Sequence, residues 1–157
     1  MSKTTESQAK FGGILVSAFG ECAESGINSE LRLRVSELDL KPLILALSSE
    51  RAQKVRIYFE DLFVMNNERD LDLYIRWVDI EKPGSALCVV TKAKLPHGTK
   101  KASFPAVSPY WPSARCAEVE AEVLFGVDFE GPRINHVGFT LGDGTQQSSF
   151  PMRKTPS

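Results

Sequence analysis

The sequence lacks the short motifs by which catalytic and metal sites are usually recognised. It has no Cys-x-x-Cys or His-x-x-x-His spacing, no Gly-x-x-x-x-Gly-Lys or Gly-x-Gly-x-x-Gly phosphate loop, and no Gly-x-Ser-x-Gly nucleophile elbow. Only His97 and His136 offer an imidazole, and neither lies beside a nucleophile in the sequence. These absences favour a non-catalytic protein with no cofactor and no metal. An enzyme whose site assembles from distant residues is the weaker alternative.

Long apolar runs and paired cysteines are also missing. No apolar run is long enough to cross a bilayer, so no membrane association is expected. The cysteines are odd in number and widely spaced, which favours reduced thiols over a disulfide framework. The net charge of −1 produces no overall field toward nucleic acid or an anionic membrane. The sequence therefore predicts a cytoplasmic protein.

Alternating polarity dominates what is present. In Asp70–Trp77, apolar side chains fall on one face at every second position, which is the period of a half-buried strand. Lys82–Ser85 contains Pro-Gly, which is typical of a tight turn, and Ala86–Leu95 alternates again. This pattern predicts a β-hairpin. Further strands are predicted at 13–19, 29–36, 55–59, 62–65, 117–125, 137–141 and 145–150.

One helix is predicted at about 40–49. Asp39 is the expected N-cap, Pro42 would fall in the first turn, and Leu43–Leu47 would pack against a sheet. A short buried strand at 43–47 is the alternative. Segment 117–125 is predicted as a strand because of its alternation, although its Ala and Glu content would favour a helix.

Together these elements predict an α+β fold with mostly antiparallel strands, a small barrel or sandwich with the single helix packed on it. The length of 157 residues predicts a single domain, 1–157, with flexible ends at 1–10 and 151–157.

The segment 92–115 is the candidate functional region. It contains basic and aromatic residues, four prolines and no acidic residue. A connection of this length inside a compact domain is usually functional or disordered. We expect a rigid β scaffold from which this segment projects as a binding loop. The predicted binding residues are Lys92, Lys94, Lys100, Lys101, Phe104, Tyr110, Trp111 and Arg115, with Arg76 on the sheet.

Two kinds of partner, and one role without a partner, are compatible with such a loop. The first is another protein or a second copy of the chain, because Tyr, Trp and Arg are enriched at binding hot spots. The second is single-stranded nucleic acid, held by cations on phosphates and rings on bases as in oligonucleotide-binding barrels. The third possibility is that the loop neutralises the acidic segment 116–130 and that Tyr110 and Trp111 cover the core.

Overall fold

The computed structural model describes residues 23–25, 30–52, 57–67, 70–80, 84–94, 101–131 and 152. The strands predicted at 13–19, 137–141 and 145–150 lie outside these residues, as do Lys100, His97 and His136. The extent of the domain and the flexibility of its ends stay predictions.

Five of the described strands form one open sheet. They are β1 (Ala23–Ser25), β2 (Glu30–Val35), β3 (Ile57–Asn66), β4 (Asp70–Asp79) and β5 (Ala86–Lys94), in the order β1-β2-β5-β4-β3. Within the described residues, β1 and β3 are the edges and the sheet does not close. The mixed α+β class is therefore confirmed, and the small barrel is wrong.

The predicted hairpin is confirmed as β4 and β5. Leu73 lies opposite Thr91, and Trp77 lies opposite Leu87. The Asp79 N–H donates to the Ser85 carbonyl at 3.2 Å, which closes the connection. Gly84 has φ +88°, a backbone conformation that costs a residue with a Cβ about 1–2 kcal/mol.

Strand β3 joins the two segments that are predicted as separate strands, 55–59 and 62–65. Its pairing with β4 shifts register between Phe59 and Asp61, which is a β-bulge between the two predicted segments. Beyond the bulge, Leu62 and Val64 are buried, whereas Phe63 and Met65 face the opposite side.

The predicted helix is confirmed as α1 (Glu37–Ala52), but its cap differs. Ser36 is the cap, because its Oγ accepts from the Asp39 N–H at 3.3 Å and donates to Asp39 Oδ2 at 2.6 Å. The helix thus begins before Asp39, and Pro42 lies in its second turn. Apolar side chains three and four positions apart face the sheet and are buried: Leu40, Leu43, Ile44 and Leu47.

Helix α1 carries the chain from β2 to the far edge of the sheet at β3. Two antiparallel steps, β3 to β4 and β4 to β5, then return it beside β2. Strand β5 therefore runs parallel to β2, with Leu33 opposite Val89. Periodicity within each strand cannot reveal this long-range parallel pairing.

A second unit, residues 101–131, packs on the sheet. It comprises β6 (Ala102–Pro105), a 3₁₀ turn (Pro112–Ala114), α2 (Arg115–Phe125) and β7 (Val127–Glu130), and β6 pairs in parallel with β7. The strand predicted at 117–125 is wrong. Ala and Glu favour a helix, and Gly126 ends α2 in the left-handed region at φ 64°, with its N–H donating to the Glu122 carbonyl.

Candidate functional site

Glu118 is the centre of the 101–131 unit. Its side chain has no solvent exposure. Its Oε1 accepts hydrogen bonds from the backbone N–H groups of Val107 (2.7 Å) and Ser108 (2.9 Å). Its Oε2 accepts from Arg115 Nη1 at 3.1 Å, and the same nitrogen lies 3.3 Å from Glu122 Oε1. One buried carboxylate thereby fixes the loop before the 3₁₀ turn to the first turn of α2.

Trp111 joins this unit to the sheet. Its Nε1 donates to the Ile57 carbonyl at 3.3 Å, and its ring lies 5.6 Å from the ring of Trp77 on β4. The N–H groups of Tyr110 and Trp111 both donate to the Val107 carbonyl at 3.0 Å, forming a compact turn. The segment is therefore packed against the sheet.

The aromatic residues predicted for binding are mostly interior. Phe104 has no exposure and Trp111 is 2% exposed, while Tyr110 is half-buried. Phe104 lies on β6 with its ring 6.3 Å from that of Phe129 on β7. The expectation that these rings project for stacking is wrong for Phe104 and Trp111. The alternative, in which Trp111 covers the core, is the arrangement found.

Several of the predicted basic residues have acidic partners. Lys92 Nζ lies 3.2 Å from Asp70 Oδ2 on the neighbouring strand. Arg76 forms an ion pair with Glu60 on β3 and lies 3.8 Å from Glu30.

Arg115 pairs within α2, while Lys94 and Lys101 are exposed. The described members of the predicted set thus lie on β4, on β5, in segment 101–111 and on α2, and are not gathered on one loop. The contact of these residues with a protein partner stays a prediction.

A groove separates the edge strand β3 from α2, and we call it the β3–α2 groove. Its volume is about 440 Å³, and most of its lining is apolar. Met152 lies at one end, where its N–H donates to the Leu124 carbonyl at 3.0 Å and its carbonyl accepts from Asn66 Nδ2 at 3.2 Å. Among the described residues that line the groove, Asp61 and Glu120 carry charge.

The other face of β3 is also partly apolar. Tyr58, Phe63 and Met65 are 45%, 42% and 49% exposed. The ring of Phe63 stacks on that of Tyr74 of β4, with centroids 4.7 Å apart and planes 4° apart. The edge of the sheet thus presents apolar side chains on both of its faces.

The two described cysteines differ in their surroundings. Burial raises the pKa of the Cys88 thiol, and nearby Glu30 raises it further, while Arg32 and Arg76 oppose these effects. Cys116 is exposed at the start of α2. The thiol of Cys88 is therefore the less reactive of the two.

The burial of Glu118 and the positions of Asp61 and Glu120 in a groove are not predicted from the sequence. Alternation placed residues 118, 120 and 122 on one face of a strand, but the helix places Glu118 and Glu122 together and turns Glu120 away. The helical spacing of Arg115, Glu118 and Glu122 is the signal that could have identified the cluster. Among the described residues, no three metal-ligating side chains lie together, and no helix meets the length and hydropathy of a membrane span.

Comparison with solved structures shows chains of similar fold, among them the following two. One is a chain of the membrane-bound sulfane sulfur reductase, an archaeal respiratory membrane complex, with 18% identity and a TM-score of 0.70 over 94% of this chain and 84% of that one. The other is a trypsin-resistant fragment of Nqo5, with 18% identity and a TM-score of 0.57 over 79% of this chain and 98% of that one. No curated protein matches the sequence.

A family model gives the more specific result. Residues 33–156 match the 30 kDa subunit of respiratory-chain NADH dehydrogenase. This match contradicts the prediction of a non-catalytic binding protein that acts through the basic loop 92–115, and its alternative, a nucleic-acid-binding barrel. The second alternative, an enzyme with an unrecognised site, stays a prediction.

Together with the membrane-bound archaeal complex, the family match also contradicts the expectations of a free cytoplasmic location and of no membrane association. The expectation of protein partners agrees with a family of subunits. Because the match spans more than half of the sequence, the chain belongs to the family of the respiratory-chain NADH dehydrogenase 30 kDa subunit.

Proposed function

We propose that this chain is a subunit of a membrane-bound respiratory complex and acts by holding other subunits in place. The observation that carries the proposal is the family match over 33–156, which covers the sheet from the middle of β2 onward and the whole 101–131 unit. The similar archaeal chain belongs to a respiratory membrane complex, which supports the same setting here.

The surface of the chain supports a role in assembly. Contiguous exposed apolar area on a folded protein marks an interaction site more often than chance. Phe63 and Met65 are exposed two positions apart on β3, and Phe63 also lines the β3–α2 groove. An edge with apolar side chains on both faces offers a partner a larger contact than either face alone.

The interior provides the rigidity that such a role requires. Glu118 fixes the 106–111 turn to α2, and Trp111 fixes that turn to β3 and β4. Contacts of this kind hold the surface of α2 in one position relative to the sheet. A preorganised surface loses less conformational entropy when a partner binds.

Native fractionation tests the proposal. The chromosomal copy would carry an affinity tag, and membranes of the host would be solubilised in mild detergent before purification. We expect the chain in the membrane fraction, eluting with other respiratory subunits identified by mass spectrometry. Deletion should lower the amount of the assembled complex, and the untagged wild-type gene should restore it. A chain that elutes alone from the soluble fraction would contradict the proposal.

A further inference from the structure

We propose that the β3–α2 groove receives a segment of a neighbouring subunit that carries apolar side chains and at least one Lys or Arg. This inference rests on the proposed function and adds to it a surface and the chemistry of the partner.

The shape of the groove suits an inserted segment. Ala117 and Ala121 lie one turn apart on the same face of α2, and their small side chains leave a trough between the helix and β3. Leu62 and Val64 of β3 form the facing apolar wall. A volume of about 440 Å³ is large enough for several side chains.

The described lining of the groove contains two acidic residues and no basic one. Asp61 and Glu120 are exposed, and neither forms an ion pair with a described residue. Most other described carboxylates on the sheet and α2 do have a cationic partner. These paired acids are Glu30, Glu60, Asp70, Asp72, Glu118 and Glu122. A partner that brings a cation to Asp61 and Glu120 therefore has the complementary charge.

The hydrogen bonds of Met152 give the groove a direction. They join the Leu124 end of α2 to the Asn66 end of β3, so that the opposite end lies near Ala117 and Asp61. The basic residue of the partner should therefore lie at the end of the groove near Ala117 and Asp61, and the partner's apolar side chains should extend toward Leu124. Phe63 continues the apolar contact across the edge of β3.

Charge reversal tests the complementarity in the native complex. The double variant Asp61→Lys, Glu120→Lys should lower recovery of the other subunits about tenfold, because two cations would then face the partner's cation. The neutral double variant Asp61→Asn, Glu120→Gln should lower recovery less. Glu37→Lys, Glu130→Lys changes the net charge equally at exposed positions outside the groove lining and should leave recovery unchanged. Equal thermal midpoints of the purified chains would exclude unfolding as the cause.

Cross-linking identifies the occupant. Cys116 is exposed and lies one helical turn before Glu120, so a maleimide–benzophenone probe on this thiol reaches the end of the groove near Ala117 and Asp61. With Cys22 replaced by serine, the labelled chain would be assembled, irradiated and digested, and the joined peptides sequenced. We expect a peptide of another subunit with apolar residues beside a Lys or Arg. Reversing that cation to Glu should restore recovery of the Asp61→Lys, Glu120→Lys chain.

Several results would overturn the inference. A joined peptide from this chain or a second copy, an acidic partner peptide, or no joined peptide would each exclude the proposed occupant. Full recovery of subunits by the charge-reversed chain would do the same while leaving the proposed function intact. A wild-type chain recovered without other subunits would overturn both.

Discussion

Glu118 is a charged side chain without solvent exposure, and its hydrogen bonds explain how it is tolerated. Removing a carboxylate from water is costly unless its oxygens gain equivalent partners. Two backbone N–H groups and Arg115 supply them. The same contacts hold the 106–111 turn, so that this one residue determines the local chain path.

Replacing Glu118 should destabilise the fold, and the loss of stability should grow with the number of hydrogen bonds that the replacement removes. Glu118→Leu leaves two buried N–H groups without their acceptor and removes one of the two carboxylates that Arg115 contacts, and should lower the free energy of unfolding by about 3–5 kcal/mol. Glu118→Gln keeps one oxygen and should cost about 1–3 kcal/mol. Urea denaturation followed by circular dichroism measures both. Glu122→Gln is the matched control, expected within about 1 kcal/mol of wild type because Glu122 is partly exposed.

Thr91 presents the opposite case, because it is a buried hydroxyl whose Oγ1 has no hydrogen-bond partner among the described residues. Thr91→Val has nearly the same shape without the polar atom and should raise the free energy of unfolding by about 1 kcal/mol. Val89→Thr, at a buried position on the same face, should lower it by a similar amount or more. A destabilised Thr91→Val chain would show that the hydroxyl is satisfied in solution.

The two described thiols should separate in reactivity. At pH 7, Cys116 should react rapidly with a maleimide, whereas Cys88 should react slowly because burial raises its pKa and limits access. The folded-state pKa of Cys88 lies above its unfolded value, so its contribution to stability is lost as the pH rises through the alkaline range of thiol ionisation. Labelling from pH 7 to 9 followed by peptide mapping measures the two labelling rates. Equal rates for Cys88 and Cys116 would contradict the prediction.

At the scale of elements, termini and turns are decided by particular residues. Ser36 begins α1, Gly126 ends α2, and Gly84 allows the turn between β4 and β5. Ser36 accepts a hydrogen bond from the first turn of the helix, through its side chain. The two glycines have positive φ, which most side chains disfavour.

Gly84 allows a test of backbone conformation alone. A Cβ at this position would meet no atom within 4 Å, so Gly84→Ala adds no clash. We expect it to lower the free energy of unfolding by about 1 kcal/mol, because alanine disfavours φ +88°. Gly84→Asn should cost less, since asparagine tolerates positive φ better. Equal stability of Gly84→Ala and wild type in urea would show that the turn changes conformation.

For the whole molecule, the sheet, α1 and the 101–131 unit share one hydrophobic core. The contact between Trp77 and Trp111, the only tryptophans in the sequence, joins the two parts directly. A surface built from both β3 and α2 depends on this shared core.

The shared core predicts a single unfolding transition. Tryptophan fluorescence, which reports the Trp77–Trp111 contact, should change at the same urea concentration as circular dichroism, which reports secondary structure throughout. Glu118→Gln in the 101–131 unit and Leu73→Ala in the sheet should each shift both signals together. Two separated transitions would show that the 101–131 unit unfolds independently.

Local pattern was sufficient for the central hairpin, for β2 and for α1. Leu71 to Trp77 alternate because alternate side chains of a strand face the same layer, and Pro83-Gly84 is compatible with few structures other than a turn. Segment 117–125 was ambiguous, since alternating Glu with Ala or Val satisfies both periods over such a short length. Helix propensity and the left-handed Gly126 decided in favour of the helix.

The sequence by itself determined which segments pair locally and which side chains are apolar enough to be buried. Only the tertiary structure decided that β2 lies parallel to β5, that Phe104 and Trp111 are interior, and that Asp61 and Glu120 face one groove. These facts depend on contacts between residues far apart in the chain, where burial of apolar area and pairing of charges select one arrangement among many. Local periodicity contains no information about which distant surface each side chain meets.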